Sequence, residues 1–203
     1  CCTLTNFNHL SFIFILNLTN FEVSPMHEVL EATRRVALEE GVIVTGSELV
    51  GLVPLKAMLW AGQFYLEKEN GNPGVSQREL VDTAIHSLGL RDVGDFDPNA
   101  RVVEYAIGGD GPLVSMTGRD FIDTLGSSAP APGGGSVASL CGAMSTALSS
   151  MVGSLTHGKK GYESQFEAHI NNAVQAQQLK DDFLADIDHD TAAFNAIMDA
   201  MAL

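Results

Sequence analysis

Five residues, Gly108-Gly109-Asp110-Gly111-Pro112, separate two stretches of different pattern. A segment built from three glycines and a proline extends neither a helix nor a strand, so it reads as a linker. Before it, helical and strand-like runs alternate. Phe12 to Val23 is rich in β-branched and aromatic residues and reads as a strand. Ser24-Pro25 supplies an N-cap and a proline at the first helical position, and that helix runs to Gly41. Val42-Ile43-Val44 reads as a short buried strand. Gly46 to Val53 is a loop, and Pro54 opens a second helix through Leu66. Ser76-Gln77-Arg78-Glu79 is a capping box for a third, ending at Gly89. Arg101 to Ile107 alternates weakly and reads as a last strand. This mixture is an α+β order.

Beyond the linker the pattern is helical throughout. Thr117 caps a short helix carrying Phe121, Ile122 and Leu125. Ser127 to Gly135 is too rich in proline and glycine for a helix. From Ser136, apolar or sulfur-bearing residues recur at 137, 141, 144, 148, 151 and 155, a heptad-like stripe with alanine, serine and glycine on the other faces. A last helical pattern runs from about Tyr162 to Met201. The boundaries that follow are an N-terminal extension at 1–11, an α+β segment at 12–107, a linker at 108–117 and an all-α segment at 118–203.

Acidic residues outnumber basic ones 25 to 11, a net charge of −14. Such a surface repels phosphate backbones and anionic membranes, which argues against nucleic-acid binding. The three cysteines, two of them adjacent, form no disulfide framework. Cys141 reads as a buried small hydrophobe, and a reducing cytoplasmic setting is expected. Val137 to Leu155 is long enough to span a bilayer, but its many hydroxyls favour packing among protein neighbours, so no membrane span is expected. The six histidines are scattered, and no spacing resembles a metal site. The chain opens on Cys1 and reads as a piece of something longer.

Asp190 is the most informative single residue. Phe183, Ile187, Phe194 and Ile197 all fall within about 60° of it at about 100° per residue. The carboxylate therefore sits at the centre of an apolar stripe. Buried there, beside Asp186, it would be tuned toward acid–base work near neutral pH. The alternative is that the stripe turns and leaves Asp190 in solvent. His189, about 100° away, is not its natural partner within the helix. Gly133-Gly134-Gly135-Ser136 leads into a helix N-terminus, which either binds an anionic or polar ligand or is simply a flexible connection. Lys159-Lys160 either meets a polyanion or is a solvated turn. His27 reads as a surface or cap residue.

The residues also carry a resemblance. Asn17 to His27 (NLTNFEVSPMH) and Gly46 to Ala57 (GSELVGLVPLKA) resemble the C-terminal subdomain of glutamate formiminotransferase. Ser128 to Val137 (SAPAPGGGSV) resembles the opening of formiminotetrahydrofolate cyclodeaminase. The ordered pair resembles the bifunctional formiminotransferase-cyclodeaminase family of histidine breakdown over residues 17–203, with residues 1–11 unmatched.

The resemblance implies a partial ferredoxin-like transferase subdomain followed by part of a helical cyclodeaminase bundle. It implies formiminoglutamate and tetrahydrofolate as substrates, the folate carrying a polyglutamate tail, no metal, and a homo-oligomer arranged as a ring of dimers. It places the deaminase aspartate at Asp190 through Asp188 to Phe194 (DHDTAAF). Gly133, Gly134, Gly135 and Ser136 would shape the folate pocket, and Lys159 and Lys160 would meet the tail. Nothing matches the transferase's N-terminal subdomain, so His9, His27 and His86 do not inherit its catalytic histidine, and the 203-residue chain is expected to have little activity alone. Two rival readings stand: a methenyltetrahydrofolate cyclohydrolase-like module, and a non-catalytic helical assembly module.

Overall fold

A computed structural model describes residues 2–5, 11–109 and 111–202. It divides into two compact units, Cys1–Gly109 and Asp110–Leu203. The first mixes strands and helices, and the second is helical.

In the first unit, β1 (Cys2–Thr5), β2 (Ser11–Phe14) and β3 (Ile43–Ser47) form an antiparallel sheet in the order β2-β1-β3. The long strand expected over 12–23 is only its first few residues. Beyond Phe14 the chain is irregular, and the Val23 and Ser24 amides donate to Asn20 O in a turn. β1 lies wholly inside the stretch read as an unmatched extension. The strand expected at 42–44 forms as β3, but it is an edge strand with Ile43 exposed and not a buried one.

Three helices follow the pattern closely, α1 (Met26–Glu39), α2 (Leu55–Lys68) and α3 (Gln77–Leu88), and a short α4 (Pro98–Arg101) that the pattern did not indicate comes after them. Pro25 itself occupies the N-cap of α1, one residue later than expected, and makes no side-chain cap. Ser76 caps α3 by accepting from the Glu79 amide, and Gly89 closes it at φ 65°, a left-handed conformation that glycine adopts without Cβ strain. The segment read as a last strand, Arg101 to Ile107, is instead the last residue of α4, then Val102, then α5 (Val103–Ile107). Asp97 caps the Asn99 amide and Pro98 takes the first helical position, a start signal that outweighs the weak alternation. Only Val102, between the two helices, bridges to Val53.

The core of this unit gathers Leu30 from α1, Met58 and Ala61 from α2, and Val81, Ala84 and Ile85 from α3, with Val102. Glu31 ties the helices at their rim. It accepts from Arg34, Lys68 and the Tyr65 hydroxyl, while Arg34 reaches the Ser87 carbonyl. Burial alone would raise the Glu31 carboxyl, but the Lys68 and Arg34 hydrogen bonds outweigh it and hold the group below its ordinary value.

His27 is a correction. It is buried rather than at the surface, stacked on Phe64 with ring centroids 4.6 Å apart. Its Nδ1 has no hydrogen-bond partner among the described residues. Burial holds the imidazole below its ordinary value, against the opposing pull of Glu28 and Glu31. The folded chain therefore takes up this proton less readily than the unfolded chain. The stability this provides is present above the ordinary histidine value of about 6.5 and is lost as the pH falls below it. Urea unfolding of His27→Gln is expected to show a smaller loss of midpoint between pH 8 and pH 5 than the native sequence. Parallel losses would exclude His27 as the source.

The second unit contains α6 (Gly118–Leu125), α7 (Gly134–Thr156) and α8 (Phe166–Met201), with a 3-10 turn at Glu163–Gln165. Thr117 caps α6 through the Asp120 amide. α7 starts at Gly134, two residues before the expected Ser136.

α7 and α8 pair antiparallel. Ser136 meets Ile187 and Asp190, Gly142 faces Phe183, Ser150 meets Gln177, and Gly153 lies on Ala173. The buried residues of α7 are Ser136, Ala143, Ser150 and Gly153. Ser136, Ala143 and Ser150 recur every seven residues, but the face that packs is this small-residue one and not the apolar stripe, which lets the two backbones approach. The apolar stripe one residue further round stays exposed at Met144, Leu148, Met151 and Leu155, and Cys141 is exposed with it.

α7 is, among the described residues, the one helix long and apolar enough to cross a membrane by length and composition. Its Ser145, Thr146, Ser149 and Thr156 hydroxyls donate to carbonyls of the preceding turn.

Candidate functional site

The candidate site lies where the N-terminus of α7 meets α8. α7 has no side-chain cap of its own, since Gly133 stands at the N-cap. Its free amides would otherwise face solvent. Asp190 supplies the cap from the other helix: its Oδ2 accepts from the Ser136 amide at 2.9 Å. A carboxylate at a helix N-terminus is also favoured by the helix dipole.

Ser136 is fully buried. Its Oγ lies 2.8 Å from the Ile187 carbonyl, 3.2 Å from Asp190 Oδ2 and 3.2 Å from Thr191 Oγ1. Gly135 completes the contact, because a Cβ built there would fall on the Asp190 carboxylate. Glycine is required at 135 for this close approach rather than for an unusual backbone angle.

Asp190 is not at the centre of a buried stripe. The residue is exposed, and of its four apolar neighbours Ile187 is buried while Phe194 and Ile197 are 37% and 60% exposed. The reason is length. α8 has 36 residues and α7 has 23, or about 54 Å against about 34 Å at 1.5 Å per residue. The end of α7 reaches α8 at 187–191, and α8 continues past it without a partner among the described residues. Asp190 therefore stands at the mouth of the helix pair, backed by protein on one side and open on the other.

The structure thus joins Gly135, Ser136 and Asp190 and brings Gly133 and Gly134 beside them. It does not bring Lys159 and Lys160 there. These lie after Thr156, at the opposite end of α7, about 34 Å away. Both are exposed, and Glu163 shares their loop. The Gly161 amide binds both Glu163 oxygens at 2.9 Å and holds that carboxyl below its ordinary value, so a negative charge sits beside the lysine pair.

Asp186 is exposed and 3.5 Å from His189 Nδ1. His86 is exposed, and His9 lies outside the described residues.

Sequence reasoning missed Asp188. Its two oxygens accept from the Leu113 and Val114 amides at 2.9 and 3.1 Å, and a Cβ at Gly111 would overlap it. Asp188 thereby fastens the first residues of the helical unit to α8, beside the core of Leu113, Phe121 and Ile187. The usable signal was the glycine at 111, which marks a close approach as the one at 135 does.

No group of three or more metal-ligating side chains is assembled among the described residues.

Comparison with known proteins now bears on the assignment. Residues 8–108 match the family model "Formiminotransferase domain", and residues 117–203 match "Formiminotransferase-cyclodeaminase". The chain belongs to the formiminotransferase-cyclodeaminase family. The first match begins at residue 8, inside the stretch that the sequence reading left unmatched.

The chain is similar to the formimidoyltransferase-cyclodeaminase of Sus scrofa, 39% identical over 191 residues, covering 92% of this chain and 35% of that protein. It is also similar to the protein of that name from Dictyostelium discoideum, 42% identical over 153 residues, 73% of this chain and 28% of the relative. A methenyltetrahydrofolate cyclohydrolase of Methylorubrum extorquens is 44% identical over 84 residues, 41% of this chain and 40% of its own length. The chain therefore spans about a third of the length of the bifunctional relatives.

Proposed function

We propose that the protein carrying these residues acts on folate in histidine breakdown. It transfers a formimino group from formiminoglutamate to tetrahydrofolate and then closes 5-formiminotetrahydrofolate to 5,10-methenyltetrahydrofolate with loss of ammonia. Residues 12–107 are read as part of the transferase's ferredoxin-like subdomain, 108–117 as a linker and 118–203 as the start of the cyclodeaminase bundle. The observation that supports the second activity best is a carboxylate, Asp190, held at a helix N-terminus across a glycine gap and open on one side.

The chemistry needs such a group. N10 attacks the carbon of the protonated formimino group, forming a C–N bond. The N10 proton must leave and the departing amino group must gain one, so that ammonia is released and the methenyl cation remains. One carboxylate taking the proton from N10 and returning it to the leaving nitrogen balances the step. Gly133 and Gly134, beside it, border the space in which the pterin would lie.

Ser136 is buried and its hydrogen bonds are directed into the protein, so its assigned role moves from folate contact to support of Asp190. Lys159 and Lys160, at the far end of α7, are left only the polyglutamate tail of an extended substrate. A cytoplasmic setting and a ring-of-dimers assembly belong to the same reading.

The similarity to a cyclohydrolase favours a second reading, in which the helical unit hydrolyses the methenyl group. Steady-state assays of the native full-length protein separate the two. Ammonia release from 5-formiminotetrahydrofolate exceeding methenyl hydrolysis by at least about tenfold in kcat/KM supports the deaminase, and the reverse ratio supports the cyclohydrolase. The 203-residue chain alone is expected to show neither.

A further inference from the structure

The arrangement around Asp190 is asymmetric. Oδ2 is bound by the Ser136 amide at 2.9 Å and approached by the Ser136 hydroxyl at 3.2 Å. Oδ1 forms no hydrogen bond among the described residues and lies over Gly135, where a Cβ would strike it first. The Ser136 hydroxyl is itself fixed. It has one proton to give, to the Ile187 carbonyl or to Asp190, and Thr191 Oγ1 at 3.2 Å can supply one in return. Ser136 is fully buried, so its hydroxyl is closed off from bulk water on its own side of these bonds.

We propose that Ser136, backed by Thr191, is a positioning residue that pins Asp190 Oδ2 and leaves Oδ1 as the reacting oxygen, presented through the gap at Gly135. This rests on the reading of Asp190 as the proton-transfer group. A carboxylate on a two-bond side chain rotates freely in solvent, and a displacement of about 1 Å can cost about 10²-fold in rate. The Ser136 amide on Oδ2, joined by the Ser136 hydroxyl when its proton turns from the Ile187 carbonyl, restricts that freedom. The absent side chain at 135 keeps the other oxygen clear.

The test uses the native full-length protein and three variants, Ser136→Ala, Thr191→Val and the double variant, with Asp190→Asn as reference. Initial rates of ammonia release give kcat and KM, and thermal unfolding and sedimentation report fold and assembly. Ser136→Ala is expected to lower kcat about tenfold with KM within about twofold, because the group it loses supports the reacting oxygen and not the folate. Thr191→Val should lower kcat about threefold, and the double variant should resemble Ser136→Ala, since both act through one hydroxyl.

The proposal is overturned if Asp190→Asn is inactive while Ser136→Ala and Thr191→Val both keep native kcat. It is also overturned if Ser136→Ala raises KM with kcat unchanged, which would mark a folate contact. An active Asp190→Asn would instead remove the reading on which the proposal rests. Thr191, only half-buried, gives a variant that folds even if Ser136→Ala does not.

Discussion

Asp190→Asn in the native full-length protein is expected to lower ammonia release about 10³-fold while leaving the α7–α8 pair folded. The two effects separate because the proposed function gives Asp190 a second task beside the cap it forms. As a cap, its Oδ2 accepts from the Ser136 amide, and an asparagine oxygen in the same place accepts equally well. As a proton carrier it must take up a proton and release it, which an amide oxygen does not do near neutral pH. Asp190→Ala removes both roles and should also destabilise the helical unit by about 1 kcal/mol, the usual cost of a lost N-cap. Thermal unfolding and initial rates on the three proteins complete the comparison. If Asp190→Asn turns over normally and Asp190→Ala is merely less stable, Asp190 is a cap and the chemistry lies elsewhere.

The cap that Asp190 forms on α7 marks what the sequence can and cannot reveal about this chain. The helical wheel singled out Asp190 from its apolar neighbours, and the glycine run marked the place that receives it. Their contact was not legible, because it joins residues more than fifty positions apart. α2 repeats the lesson. It too lacks a side-chain cap, and its Leu55 amide is bound by Glu104 at 2.7 Å. Local caps such as Ser76 and Thr117 could be read directly, since the hydroxyl and the amide it binds are three residues apart. Distant caps carry no such spacing.

The exposure of Asp190, which is the solvated alternative of the two the wheel left open, has the same origin. A stripe on one helix states which side is apolar, but not where its partner ends. On α7 the pattern pointed to the large residues, while close packing selected Ser136, Ala143 and Ser150, equally periodic and less hydrophobic.

Gly62→Ala is expected to destabilise the first unit by about 3 kcal/mol or more, the upper end of the usual cost of overpacking. Intrinsic propensity points the other way: alanine in place of glycine within a helix normally gains up to about 1 kcal/mol. The surroundings decide the sign. Gly62 is buried in α2 against α3, and a Cβ there would fall on the Leu80 carbonyl, with Leu80 Cα also only 2.9 Å away. Those atoms are helix backbone, so no rotamer change makes room and the two helices must separate. Separation would loosen Met58, Ala61, Val81, Ala84 and Ile85, which form the centre of this core. Gly94→Ala provides the contrast, because a Cβ there meets nothing within 4 Å. Urea titration should show a clearly lower midpoint for Gly62→Ala and a native one for Gly94→Ala. A native midpoint for Gly62→Ala would mean that α2 and α3 do not approach this closely in solution.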